Sequence, residues 1–237
     1  MEFNIDIYSD GAVIADMLEM KKRGIVKGFT TNPSLMKRAG ITDYISFAKE
    51  VLEKVEGMPI SFEVFADDFA TMEREALKLA SLGDNVYVKI PISNTLGESS
   101  TPLIEKLSKA GLKLNVTAIM TEKQVQETVS AFAVGSQNIV SVFAGRIADT
   151  GVDPEPLIKK ALEICSGKTG TALLWASCRE LYSIIQADRL GVDIITVPPA
   201  ILDKLSMYQM DLDELSLETV KMFNRDIQSL GFTILGA

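Results

Sequence analysis

Eight times along this chain a short apolar run of strand length is followed by a longer stretch with helical spacing. The strand-like runs fall at 3–9, 26–31, 60–65, 86–91, 112–119, 138–143, 171–176 and 193–197. The helical stretches between them fall at about 12–23, 42–56, 68–82, 98–110, 121–134, 153–166 and 177–190, most of them stopped by glycine. Thr121 with Gln124 three residues on has the form of a capping box. A short helix is expected after Pro198-Pro199, and an amphipathic one at about 216–230 lies beyond the eighth unit. Eight strand–helix pairs predict an α/β fold, the (β/α)8 TIM barrel, with an extra C-terminal helix. The reading is one barrel domain over 1–237, with 211–237 as a C-terminal helical extension. A doubly wound sheet would normally carry a glycine-rich phosphate loop after an early strand, and no GxGxxG or Walker pattern is present.

Composition removes whole classes of chemistry. The chain of 237 residues has no histidine, which excludes histidine triads, histidine metal ligands and histidine acid–base catalysis. Its two cysteines, Cys165 and Cys178, suggest neither a disulfide framework nor a zinc site, so a reducing cytoplasm is the expected location. With a net charge of −8 and no basic block, nucleic acid is not an expected partner. No apolar run approaches membrane-spanning length, so no membrane partner is expected either. Catalysis here would have to rely on Lys, Asp, Glu, Tyr, hydroxyls and water.

The run Val86-Tyr87-Val88-Lys89-Ile90-Pro91 places a lysine on one face of a short apolar strand. Such a lysine either snorkels to water or sits in a polar pocket where its amine serves as a nucleophile. In a barrel, the strand face toward the helices is apolar, and polar groups near the C-terminal ends of the strands form the site. Counting alternate residues puts Asp10, Glu63, Lys89, Asn115, Thr117, Ser141 and Ser177 on inner faces, with Asn32 at the end of strand two. Asp6 has the same parity as Asp10 but lies four residues deeper, as an acid without an evident role. Arg146 and Arg179 follow strands six and seven.

Each residue has a plain structural alternative. Ser177 could cap the next helix, and Glu63 could simply neutralise Lys89. Together they fit Schiff-base chemistry on a polyol: a lysine nucleophile, two carboxylates for proton transfer, and hydroxyl and amide groups along the chain. Arg146, Arg179, Ser177 and the amides at the start of the following helix would hold a phosphate. Nothing in this set requires a metal or an organic cofactor.

The segments 24–35 (GIVKGFTTNPSL), 86–91 (VYVKIP), 114–118 (LNVTA), 141–147 (SVFAGRI) and 175–179 (WASCR) together resemble the transaldolase family, in particular its short single-domain members. The likeness covers nearly the whole chain. It implies catalytic roles for Lys89, Asp10, Glu63 and Thr117, with Lys89 as the Schiff-base lysine. It implies substrate binding by Asn32, Thr30, Asn115, Ser141, Phe143, Arg146, Ser177 and Arg179. The implied reaction is transfer of a dihydroxyacetone unit from sedoheptulose 7-phosphate or fructose 6-phosphate to an aldose phosphate, in the non-oxidative pentose phosphate pathway. Sugar phosphates are the implied partners, and a homo-oligomer is expected. The fructose-6-phosphate aldolase branch typically has Gln and Tyr where this chain has Glu63 and Phe143, so the transaldolase branch is favoured. A non-catalytic sugar-phosphate-binding barrel is the alternative from another class. Val142, where many relatives have proline, and Ser9-Asp10-Gly11 at the end of strand one depart from the family pattern.

Overall fold

The computed structural model describes residues 3–232 and 234. They divide into two compact units, the first ending at Leu202 and the second beginning at Asp203. In the first unit eight parallel strands close into a barrel in chain order. They are β1 (Asp6–Asp10), β2 (Gly28–Thr30), β3 (Ile60–Glu63), β4 (Val86–Pro91), β5 (Leu114–Ile119), β6 (Asn138–Val142), β7 (Thr171–Trp175) and β8 (Ile194–Val197). Pairing of β1 with β8, from Asp6 opposite Ile194 to Ser9 opposite Val197, closes the ring. The likeness in strand order and helix placement is that of a TIM barrel.

The helices of this unit are α1 (Ile14–Lys22), α2 (Pro33–Arg38), α3 (Tyr44–Val55), α4 (Phe69–Ala80), α5 (Thr101–Lys109), α6 (Glu122–Ala131), α7 (Ala144–Asp149), α8 (Glu155–Ser166), α9 (Tyr182–Leu190) and α10 (Pro199–Leu202). Local chemistry starts several of them. Asp43 accepts from Ser46 N–H at the start of α3, and Asp68 accepts from Thr71 N–H at the start of α4. The capping box expected at Thr121 and Gln124 is present. Two short helices, α2 and α7, are absent from the sequence reading. Each is six residues long, too short for a helical period to register. The second unit holds a 3-10 turn (Asp203–Met207) and α11 (Leu212–Ser229), which starts four residues before the expected point because Asp211 caps it. No residue of α11 is buried, and the stripe Leu217, Val220, Phe223 and Ile227 is exposed.

Strand alternation separates two apolar layers. Phe29, Phe62, Val88, Val116, Val140 and Ile195 are fully buried on the helix-facing side. Phe62 meets Tyr44 and Phe47 edge-on, with ring centroids 6.1 and 6.4 Å apart. Burying one such phenyl ring contributes roughly 1.5–3 kcal/mol. Inside the barrel, Tyr8, Ile139, Leu174, Ala176 and Ile194 form a second cluster, with Tyr87, Phe143 and Ala172 against it. This inner plug leaves room for polar side chains only toward the C-terminal ends of the strands. Asp6 is exposed, so the deeper acid of β1 is no buried charge.

Gly28 makes space for the plug. It lies opposite Tyr8 in the β1–β2 ladder, and a Cβ there would stand 2.6 Å from the Tyr8 ring. The ring cannot retreat without disturbing Ile139 and Leu174. Gly28→Ala is therefore expected to lose about 1–3 kcal/mol of stability, the usual penalty of overpacking, measured by denaturant unfolding, while Gly24→Ala, at an open turn, changes stability by conformational strain alone.

Candidate active site

Strand register brings the polar residues together. In the β3–β4 ladder Glu63 lies opposite Lys89, and in the β4–β5 ladder Lys89 lies opposite Asn115. Neighbours in register share a face, so three polar side chains on successive strands point into one space. Lys89 is 6% exposed. Its ammonium sits 3.1 Å from Glu63 Oε2 and donates to the Thr31 carbonyl at 2.9 Å. Lys89 thus occupies a polar pocket and does not snorkel to water. The Thr31 hydroxyl donates to the Ser61 carbonyl at 3.0 Å, which ties the end of β2 to β3.

Asp10 lies opposite Thr30 in the β1–β2 ladder and accepts from its hydroxyl at 2.7 Å. Burial pushes the Asp10 carboxyl above the ordinary carboxylate range; Lys89, the Thr30 hydroxyl and Arg38 pull it down, and Glu63 pushes it up. Burial dominates. A carboxyl raised in this way accepts and returns protons closer to neutrality than an exposed one.

A second network joins Asn115 to its neighbours. Its amide donates to Ser61 Oγ at 2.9 Å, and its carbonyl accepts from Ser141 Oγ at 2.6 Å. Thr117, two residues on, is buried, and its hydroxyl makes no hydrogen bond among the described residues. Asn32 caps α2, accepting from Leu35 N–H at 3.0 Å. That cap occupies its carbonyl and leaves the amide as its remaining donor.

The residues after β6 and β7 follow another logic. Arg146 is exposed and stands 5.9 Å above the Phe143 ring. Arg179 is exposed and pairs with Asp149 through two nitrogens. Ser177 corrects the sequence reading twice. On β7 the inner face belongs to Leu174 and Ala176, so Trp175 faces the helices and alternation cannot carry Ser177 inward. Ser177 adopts a left-handed φ of 64°, which ends the alternation. The next helix, α9, starts only at Tyr182, so Ser177 is not its cap. What does join these segments is Gly145: a Cβ there would stand 1.6 Å from the Ser177 carbonyl oxygen and 3.1 Å from Arg179 Cγ. Only a glycine lets the start of α7 pass so close to 177–179. Ala118, at φ 63°, marks a similar break in β5, where the register with β6 shifts.

Four contributors escape the sequence reading. Ser61 has inner parity on β3 but reads as small and neutral beside Glu63. Thr31 acts through its backbone carbonyl, which no sequence pattern reveals. Tyr44 donates from α3 to the Glu63 carbonyl at 2.8 Å, and burial pushes its hydroxyl well above the ordinary tyrosine range. Thr196 on β8 lies 2.5 Å from Thr30 Oγ. Its inner parity with Ile194 was the available signal. Among the described residues no cluster of three or more His, Cys, Asp or Glu side chains is placed to hold a metal ion. No helix among them is long and apolar enough to cross a membrane.

Comparison with known proteins decides the family. The profile of the family Transaldolase/Fructose-6-phosphate aldolase matches residues 7–234. The chain belongs to this enzyme family. A protein of Methanococcus maripaludis named "Probable transaldolase" is 37% identical over 199 residues, covering 84% of this chain and 88% of the relative. One of Ruegeria, with the same name, is 34% identical over 229 residues, covering 96% and 99%. Among solved structures, a dihydrodipicolinate synthase of Rhodopseudomonas palustris superposes with a TM-score of 0.56 at 14% identity, covering 92% of this chain and 79% of that one. That likeness concerns the barrel alone.

The position of Asp10 has a consequence for stability. Its carboxyl is raised in the folded state, so ionising it opposes folding. The penalty is fully present above the folded value and vanishes below the unfolded value of about 3.9. Asp10→Asn is expected to raise Tm at pH 7–8, with the gain shrinking as pH falls toward 4, measured by thermal unfolding across pH.

Proposed function

We propose that this enzyme is a transaldolase, moving a dihydroxyacetone unit between sugar phosphates through a Schiff base on Lys89. The observation that carries the reading is the buried Lys89 ammonium, held between the Glu63 carboxylate at 3.1 Å and the Thr31 carbonyl at 2.9 Å. A lysine fixed so deep at the ends of the barrel strands has no evident structural purpose, because a buried ion pair is weak support for a fold.

In this reading the free amine of Lys89 attacks C2 of a ketose phosphate. The carbinolamine loses water to give the Schiff base, with Glu63 and Thr117 handling the proton and the departing hydroxyl. Asp10 takes the proton of the C4 hydroxyl as the C3–C4 bond breaks, and the bonding electrons pass into the iminium as an enamine. The aldose phosphate leaves. A second aldose phosphate then accepts the enamine carbon, Asp10 returns its proton to the new hydroxyl, and water releases the ketose product. The raised carboxyl of Asp10 suits both proton transfers. Thr30, Asn32, Asn115 and Ser141 would bind the hydroxyls of the sugar and Phe143 would wall the site. Arg146, Ser177 and Arg179, brought close by Gly145, would bind the phosphate. This places the enzyme in the non-oxidative pentose phosphate pathway, with sedoheptulose 7-phosphate or fructose 6-phosphate as donor.

The test is borohydride trapping with fructose 6-phosphate, read by intact mass and peptide mapping, with and without erythrose 4-phosphate. A three-carbon adduct on Lys89 that the aldose phosphate discharges is the expected result. Discharge by water alone, releasing dihydroxyacetone, would reassign the enzyme to aldol cleavage. A protein that binds the sugar but gives no adduct would be a non-catalytic barrel. Lys89→Met should abolish the adduct, and Lys89→Arg, which keeps the ion pair with Glu63, separates lost chemistry from lost folding. Asp10→Asn is expected to lower kcat by about 10²–10⁴-fold.

A further inference from the structure

We propose that Thr196, on β8, is a positioning residue that orients Asp10 through Thr30; this rests on the reading of Asp10 as the group that moves the substrate proton. The three side chains form a chain across three adjacent strands. Thr30 Oγ is 2.7 Å from Asp10 Oδ1 and 2.5 Å from Thr196 Oγ. Both residues are almost sealed from water, Thr30 at 3% and Thr196 at 5% exposure.

Proton counting gives the chain a direction. An ionised carboxylate only accepts, and a hydroxyl has one proton to give. While Asp10 is ionised, the Thr30 proton must point at Asp10. The Thr30 oxygen can then meet Thr196 only as an acceptor, so Thr196 donates. Thr196 Oγ has no other hydrogen-bond partner among the described residues. If Asp10 is protonated on Oδ1 and donates to Thr30, either the chain reverses and turns the Thr196 proton toward no acceptor, or Thr30 accepts twice and its own proton loses its acceptor. Buried donors left unmade are costly, so both states are disfavoured. Protonation on Oδ2 keeps the chain but weakens it, because a neutral carboxyl accepts less strongly than a carboxylate. Thr196 therefore favours the ionised form of Asp10, against the burial that surrounds it, and polarises the Thr30 hydroxyl. It also commits Oδ1 to the protein, which leaves the other oxygen for substrate. The charged groups that act on Asp10 are Lys89 on β4, Glu63 on β3 and Arg38 on α2. Among the described residues none of them hydrogen-bonds to Thr30 or Thr196, so the chain is a separate influence on the same carboxylate.

The ladder geometry explains why β8 can do this. Tyr8, two residues before Asp10, lies opposite both Gly28 on β2 and Thr196 on β8. Thr196 and Thr30 thus flank β1 on either side. Their hydroxyls meet across it at 2.5 Å.

The test compares Thr196→Val, which keeps the shape and removes the hydroxyl, with Thr196→Ser, which keeps the hydroxyl. Both are assayed for transfer from fructose 6-phosphate to erythrose 4-phosphate across pH 5–9. Thr196→Val is expected to lower kcat about tenfold with KM within twofold of the parent, and to move the acid limb of the kcat profile to higher pH. Thr196→Ser is expected to restore both. An unchanged acid limb in Thr196→Val would overturn the proposal, as would equal losses in the Val and Ser variants, which mean packing alone. Should Thr196→Val fail to fold, Thr196→Cys keeps the volume with only a weak donor and is read by the same two criteria. Failure of the underlying reading looks different: the parent protein itself then gives no Lys89 adduct and no transfer.

Discussion

The cation of Lys89, enclosed among strand ends, is the constraint around which the barrel mouth is arranged. An ammonium at 6% exposure must be offset by opposite charge and by carbonyl oxygen, and here Glu63 and Thr31 supply both. The register makes this possible without loops. Glu63 stands opposite Lys89, and Lys89 opposite Asn115, because β3, β4 and β5 pair with those residues level. A shift of one residue on β4 would turn Lys89 into the helix layer and Val88 into the site. The apolar faces of the strands thus protect the polar site: moving the charge would expose Val86, Val88 and Ile90 to the barrel interior.

Below the site, the Tyr8, Ile139, Leu174 and Ile194 cluster closes the barrel. This plug excludes water from beneath and deepens the burial of Asp10. The same packing that stabilises the fold therefore raises the Asp10 carboxyl, while Lys89 and Thr30 counter it. Stability and proton affinity are linked through one group. Its ionised form works against folding and, in the proposed mechanism, is the form that accepts the substrate proton.

The rim is built differently from the floor. Ala118 and Ser177 take left-handed backbone, and Gly145 lets two chain segments touch where no other residue fits. Such conformations cost about 1–3 kcal/mol each and persist only where surrounding packing holds them. They bend β5 and end β7 so that Arg146 and Arg179 come from segments in mutual contact. Arg179 is already paired with Asp149, so a phosphate group would compete with a neighbouring carboxylate for it.

The eight strands, the C-terminal helix and the positions of Lys89, Glu63, Asp10, Asn115 and Ser141 were legible from local periodicity, because period two within a strand and the length and spacing of helices are local properties. The motifs around Thr30–Asn32 and Lys89 likewise carried the family. On β7 the parity itself was misread: Ser177 was assigned an inner face together with Trp175, whereas Leu174 and Ala176 hold that face, and the left-handed φ of Ser177 then ends the alternation. Asp6 lies deeper than Asp10 as its position in β1 requires, but only the structure shows that it is exposed. Six-residue helices such as α2 and α7 were too short to leave a period. The sequence by itself determined the barrel, the inner and outer faces of its strands other than β7, and the lysine on the inner face of β4. Only the tertiary structure decided that Thr31 offers a carbonyl to Lys89 and that Thr196, 166 residues from Thr30, meets it at 2.5 Å. Those contacts arise from barrel closure and interstrand register, which join residues that no local pattern relates.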